Sequence, residues 1–151
     1  MASFHHEKKV NVSIDHLWQF VSDMNHWAPL VPGYIRHEIL NEKSSIWVFK
    51  VDVGLMKKKI ELQVDITRWQ APNKVTFNLT GINEKFKGNG FFSSVNSSKK
   101  EVVMTGFLEI VAEGMMAKMA NAILETSLPE ITTELTNAVA EKAEQQYSLH
   151  Q

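Results

Sequence analysis

The sequence predicts an α+β fold: a curved, seven-stranded antiparallel sheet wrapped around one long C-terminal helix, with two short helices after the first strand. Three observations point there. From Tyr34 to Ala112 the chain alternates apolar and polar side chains in strand after strand, with turn residues between them. After Gly114 the period changes to that of a helix: Met116, Ala120, Leu124 and Leu128 form one row, and Met119, Ile123, Ser127, Ile131, Leu135 and Val139 the next. Near the start, Ser13 and Asp23 stand where helix N-caps belong.

Each element follows from its own residues. Phe4 to Val12 reads as the first strand. Ser13 ends it and caps a helix that turns Ile14, Leu17, Trp18 and Val21 to one face, with Val12 and Leu17 placed as a hydrophobic staple. Asp23 breaks this helix and caps a second, Asn25 to Leu30, which Pro29, Pro32 and Gly33 bring to an end. Ile35, His37 and Ile39 alternate with Arg36 and Glu38. After the polar turn from Asn41 to Ser45, Trp47, Phe49, Val51 and Val53 do the same. Ile60, Leu62, Val64 and Ile66 make the clearest half-buried strand, and Ala71-Pro72-Asn73 turns it into Val75, Phe77 and Leu79. Gly88 and Gly90 interrupt the next strand, Lys85 to Val95, and suggest a bend, a close backbone approach, or free volume between Phe86 and Phe92. In the last strand, Glu101 to Ala112, keeping Glu109 in solvent turns Met104, Leu108 and Ile110 inward. Within the helical region, Ser127-Leu-Pro-Glu130 has the form of a capping box, so a new helix could start there. The apolar stripe keeps its register through Pro129, which favours one kinked helix.

Bulk properties bound the function. The 151 residues suit a single domain, expected over 1–147 with a short tail at 148–151. A net charge of −1 gives no footing for nucleic acid, and the run Lys57 to Lys59 reads as a solvated strand edge guarded by lysines, or else a site for an anionic lipid or partner. With no cysteine there is no thiol catalysis, disulfide or thiolate metal site. The first residues have no apolar signal core and no apolar run is long enough to span a bilayer, which predicts a cytoplasmic protein. The chain carries no Gly-x-Ser-x-Gly elbow, no His-Glu-x-x-His and no phosphate-binding glycine loop, and adjacent His5 and His6 point to opposite faces of a strand. No catalytic residue, metal ligand or cofactor is therefore assigned.

The order of elements, together with several short motifs, resembles the START/Bet v 1-like (SRPBCC) superfamily and its helix-grip fold. The motifs are Val10-Asn-Val-Ser-Ile-Asp-His-Leu-Trp18 entering the first helix, Pro32-Gly33 leaving the second, Val51-Asp-Val-Gly54, Gly88-Asn-Gly90, Thr105, and Gly114-Met-Met-Ala117 opening the long helix. They span nearly the whole chain in order, and within the superfamily they are most similar to the CoxG-like family, named for a protein associated with carbon monoxide dehydrogenase. The resemblance implies a cavity between sheet and long helix that takes a lipophilic, lipid- or quinone-like molecule. It also implies two further partner types, a membrane surface and a molybdenum hydroxylase.

On that reading the ligand-binding wall comprises Phe49, Val51, Leu62, Phe77, Phe86, Phe92, Met104 and Leu108 from the sheet. Met116, Met119 and Ile123 add to it from the helix, and Trp27 and Leu30 lie where the second short helix would close its mouth, either as an entrance pair or as an ordinary lid packed on the core. Methionines suit an adaptable surface, and they equally suit a plain core. His37, set between inward apolar positions, would orient a ligand by a hydrogen bond, act as a base, or simply be a satisfied structural group. Binding without chemistry is the primary expectation; the alternatives are a cyclase- or hydrolase-like enzyme using polar cavity residues, or an accessory, membrane-docking subunit of a molybdenum hydroxylase. The sequence leaves the oligomeric state open.

Overall fold

The computed structural model describes residues 2–53 and 56–149, so Gly54 and the end of the expected tail, 150–151, lie outside the described residues. Seven strands, β1 (Ala2–Val10), β2 (Tyr34–Ile39), β3 (Ser44–Val53), β4 (Met56–Gln70), β5 (Lys74–Gly81), β6 (Phe86–Ser98) and β7 (Glu101–Ala112), form one antiparallel sheet in the order β1-β7-β6-β5-β4-β3-β2. Helices α1 (Ile14–Val21) and α2 (Met24–Trp27), the latter running into a 3-10 turn at Ala28–Leu30, follow β1. Helix α3 (Ala117–Leu149) ends the described chain. This is the helix-grip arrangement expected from the alternation and the terminal stripe.

Local chemistry sets the boundaries. Ser13 Oγ accepts a hydrogen bond from the His16 amide at 3.2 Å, and Asp23 Oδ1 one from the Asn25 amide at 2.9 Å, so both predicted caps are formed. The α2 helix is shorter than expected because Pro29 takes the chain out of α-helical bonding into the 3-10 turn. Pro129 lies inside an unbroken α3. The packing of the stripe on either side of it holds the helix together despite the missing amide.

The lysine run belongs to an interior strand, since the sheet edges are β1 and β2. Residues Lys57 to Lys59 pair with Asp52 to Lys50 of β3, but β5 joins β4 only from Leu62 onwards. The open flank is closed by Asn83, whose Nδ2 donates to the Lys59 carbonyl at 2.7 Å and whose Oδ1 accepts from the Glu61 amide at 2.9 Å. Lys58 is ion-paired with Glu84. The expected edge is thus a local one, bridged by the β5–β6 turn.

The core lies between the concave face of the sheet and α1, α2 and α3. Helix α3 packs chiefly on β1 and β7. Its buried positions are Ser127, Leu128, Thr132, Leu135, Thr136, Val139, Ala140 and Ala143, with none in the first ten residues of the helix. Three of them are hydroxyl residues that donate back to carbonyls four residues earlier: Ser127 to Ile123 at 3.0 Å, Thr132 to Leu128 at 2.8 Å, and Thr136 to Thr132 at 2.7 Å. Hidden in this way, their polar atoms can face an apolar sheet without an unmet donor. Among the described residues no helix is long and apolar enough to cross a membrane.

Candidate ligand-binding site

The inner face of the sheet is read off the strand registers. Trp47 is opposite Leu62, Phe49 opposite Ile60, Ile66 opposite Phe77, Phe77 opposite Gly90, Gly90 opposite Leu108, and Phe86 opposite Ala112. Directly opposed residues share a face, so one continuous apolar wall runs from β3 to β7. Of the predicted wall, Leu62, Phe77, Phe92, Met104 and Leu108 are buried. Phe49, Val51 and Phe86 are half-buried, as is Ile123 on α3.

Burial changes along this wall. At one level it is sealed by Trp27, which is fully buried and lies with ring centroids 5.2 Å from Trp47, 5.5 Å from Phe77 and 5.2 Å from Phe92. Its indole N–H donates to the Val21 carbonyl at 3.0 Å, so the polar tip is satisfied and the apolar body fills the interior. Trp27 is therefore a plug standing in the space between sheet and helix, packed on the core as the lid reading has it. Leu30 is half-buried against the same core.

Beside this plug, Phe77, Phe92, Gly106, Leu108, Thr132, Leu135 and Thr136 line a crevice of about 170 Å3 too narrow for a water molecule. The closeness comes from two glycines. A Cβ on Gly90 would stand 2.7 Å from the Phe77 ring, and one on Gly106 would collide with Thr136 Oγ1. The volume anticipated at Gly88 and Gly90 is thus occupied: Gly90 lets Phe77 lie flat on β6, and at Gly88 a Cβ would meet Ile110 at 3.1 Å.

Towards the β3–β4 and β5–β6 turns the wall opens. Phe49, Ile60, Phe86 and Ile110 are only half-buried there. Met115, Met116 and Met119, at the start of α3, are 101%, 61% and 48% exposed. Met116 and Met119 therefore stand at the rim of the interior and do not line an enclosed space. Asn121 fixes this part of α3 to the sheet. Its Oδ1 accepts from the Ala112 amide at 2.7 Å and its Nδ2 donates to the Ala112 carbonyl at 3.2 Å. The structure thus shows a sealed interior with a loosely covered apolar end.

His37 opposes Trp47 on the inner face of the edge strand β2. Its Nε2 donates to Asn25 Oδ1 at 2.7 Å, and its Nδ1 accepts from the Tyr34 hydroxyl at 2.6 Å. One neutral tautomer meets both partners, and the ring ties α2 to β2. Among the described residues no group of three His, Asp or Glu side chains is placed to hold a metal ion.

Several residues of this region escaped sequence reasoning. Trp47 showed in the alternation of β3, but nothing marked it as part of an aromatic cluster. Thr132 and Thr136 sit at helical spacing from Leu128 and Val139, a signal masked by their polarity. Gly106, in an unbroken strand pattern, and Asn121, on a helix flank, gave none.

Comparisons with known proteins agree with this geometry. A family model described as "-like:-like" matches residues 1–146. No curated protein matches the chain. Among solved structures, a conserved protein from Geobacillus kaustophilus is similar with a TM-score of 0.80 at 11% identity, covering 96% of this chain and 97% of the other. A START superfamily protein from Mycobacterium smegmatis gives 0.73 at 14% identity, covering 97% and 99%. The Zhui aromatase/cyclase from Streptomyces sp. R1128 gives 0.70 at 15% identity, covering 95% and 94%.

Proposed function

We propose that this chain, whose fold is that of a START superfamily protein, is itself START/Bet v 1-like and binds a lipophilic, lipid- or quinone-like molecule between its sheet and its long helix. The observation that supports this reading most is the gradient of burial along one apolar wall, from Trp27 at 0% exposure to Met119 at 48% and Met116 at 61%. A wall that is half-open at one end offers a ligand a place to start. The plug at the other end is carried on a four-residue helix, the kind of short element that can move.

Energetics narrow the ligand. Removing a buried Trp from its packing costs about 3–5 kcal/mol. At roughly 25 cal/mol per Å2, a ligand that displaces Trp27 must bury about 120–200 Å2 of apolar surface simply to break even. A long-chain or polycyclic molecule meets this with apolar surface to spare, whereas a single small ring does little more than break even. The mechanism is sequestration: the ligand enters at the methionine rim, α2 and the 3-10 turn shift, and Trp27 yields its place. Within the superfamily, the motif set favours the CoxG-like family. Native mass spectrometry of freshly purified protein, with organic extraction of released material, tests the carrier reading. A reproducible lipophilic adduct is expected. An apo mass that stays apo after incubation with fatty acids and quinones rules that reading out.

A second reading, an enzyme acting on such a molecule, draws on one observation: the Tyr34–His37–Asn25 chain fixes the position of an imidazole on the edge strand β2. The likeness to an aromatase/cyclase is in keeping with it. His37→Ala should then keep ligand affinity within a small factor while abolishing turnover. Unchanged turnover in that variant removes this reading.

A further inference from the structure

A second concavity, about 410 Å3, lies at the opposite end of β3 and β4 from the methionine rim, where the α1–α2 junction meets the β2–β3 turn and the end of β4. Its volume is in the range of small-molecule pockets. Trp18 and Trp69 form one corner of it, half-buried, with their rings at 90° and centroids 6.2 Å apart. Ile39, 38% exposed, continues the apolar wall. The charged residues lining the groove are Asp23 and Glu42, both acidic. Asp23 Oδ1 is engaged by the Asn25 amide, while its Oδ2 is met only by His26 Nε2, at 3.8 Å. Asn41, also in the lining, has its Oδ1 committed to the amides of Lys43 and Ser44, both at 2.9 Å.

We infer that this groove binds a small organic ammonium cation with an apolar body. Indole rings attract a cation, two carboxylates of the same sign reinforce that preference, and the apolar walls take up the remainder of the ligand. The groove lies outside the sheet–helix interior but shares α2 with it, Met24 and Asn25 lining the groove and Trp27 filling the interior.

The test is a titration followed by the indole N–H signals of the four tryptophans, using benzyltrimethylammonium, with benzyl alcohol and phenylacetate as neutral and anionic counterparts. Benzyltrimethylammonium should shift Trp18 and Trp69 and leave the buried Trp27 and Trp47 in place, with weaker binding at higher salt. The double variant Asp23→Asn/Glu42→Gln should bind it roughly three- to tenfold more weakly, as expected for two exposed charges. Asparagine keeps the α2 cap. If the double variant does not fold, Glu42→Gln alone, on an exposed turn, gives the smaller change in the same direction. Equal binding of benzyl alcohol or phenylacetate overturns the inference. So does unchanged affinity in the folded variants, the absence of any shift, or a response centred on Trp27 and Trp47.

Discussion

Gly106 decides how near α3 can come to the sheet. A Cβ there would collide with Thr136 Oγ1, and Thr136 is itself buried and bonded to the Thr132 carbonyl at 2.7 Å. Gly106→Ala should therefore destabilise the fold by about 1–3 kcal/mol, the usual cost of overpacking. Urea denaturation measures it. Adding Thr136→Ala removes the colliding oxygen and should return part of that loss, which a purely conformational effect of replacing glycine would not allow. The pairing of a glycine in one strand with a threonine thirty residues on is a fact of packing. Neither residue announced it, because the alternation of β7 continues through Gly106 and threonine ordinarily reads as surface.

At the scale of the element, α3 divides into two parts with different environments. From Ser127 to Ala143 it is packed on β1 and β7, and His6 Nε2 and Asn137 Oδ1 stand 3.1 Å apart across that contact. Its first turns are held to β7 by the paired hydrogen bonds of Asn121 to Ala112. Removing them by Asn121→Ala should cost about 1–2 kcal/mol. Amide exchange at Ala112 and over the first turns of α3 should quicken, while exchange in the packed part stays as it was. Uniform acceleration along α3 would show that the helix opens as one unit instead. The 3.6-residue stripe identified the helix and carried it through Pro129. It did not separate the packed part from the exposed one, since Met116 and Met119 are as apolar as Leu128 and Leu135.

For the whole molecule, the question is whether the sealed interior can open. Trp27→Ala removes the plug from among Trp47, Phe77 and Phe92 and should lower stability by about 3–5 kcal/mol. If ligand and Trp27 compete for the same space, this variant should bind a lipophilic fluorescent probe more tightly than the parent, by up to the energy no longer needed to displace the indole. Comparing the probe's Kd for the two proteins, with folding checked by circular dichroism, decides it. Equal affinities would place the ligand at the methionine rim alone. Fold and interior thus act together: α1 and α2 complete the core by inserting an aromatic side chain.

Sequence alone determined the element order, both helix caps and the inward faces of the strands, and it favoured one helix over two at Pro129. Each of these depends on chemistry within a few residues or on a simple period, which a single chain carries in full. It also supplied most of the apolar wall, since Leu62, Phe77, Phe92, Met104 and Leu108 are all buried where the alternation put them. Only the tertiary structure decided what fills the space those residues enclose. Trp27 became a plug, His37 a tie between α2 and β2, and Gly90 a seat for Phe77, because each outcome depends on how residues far apart in the chain share one volume. Periodicity says which way a side chain points, and close packing says how far it can go.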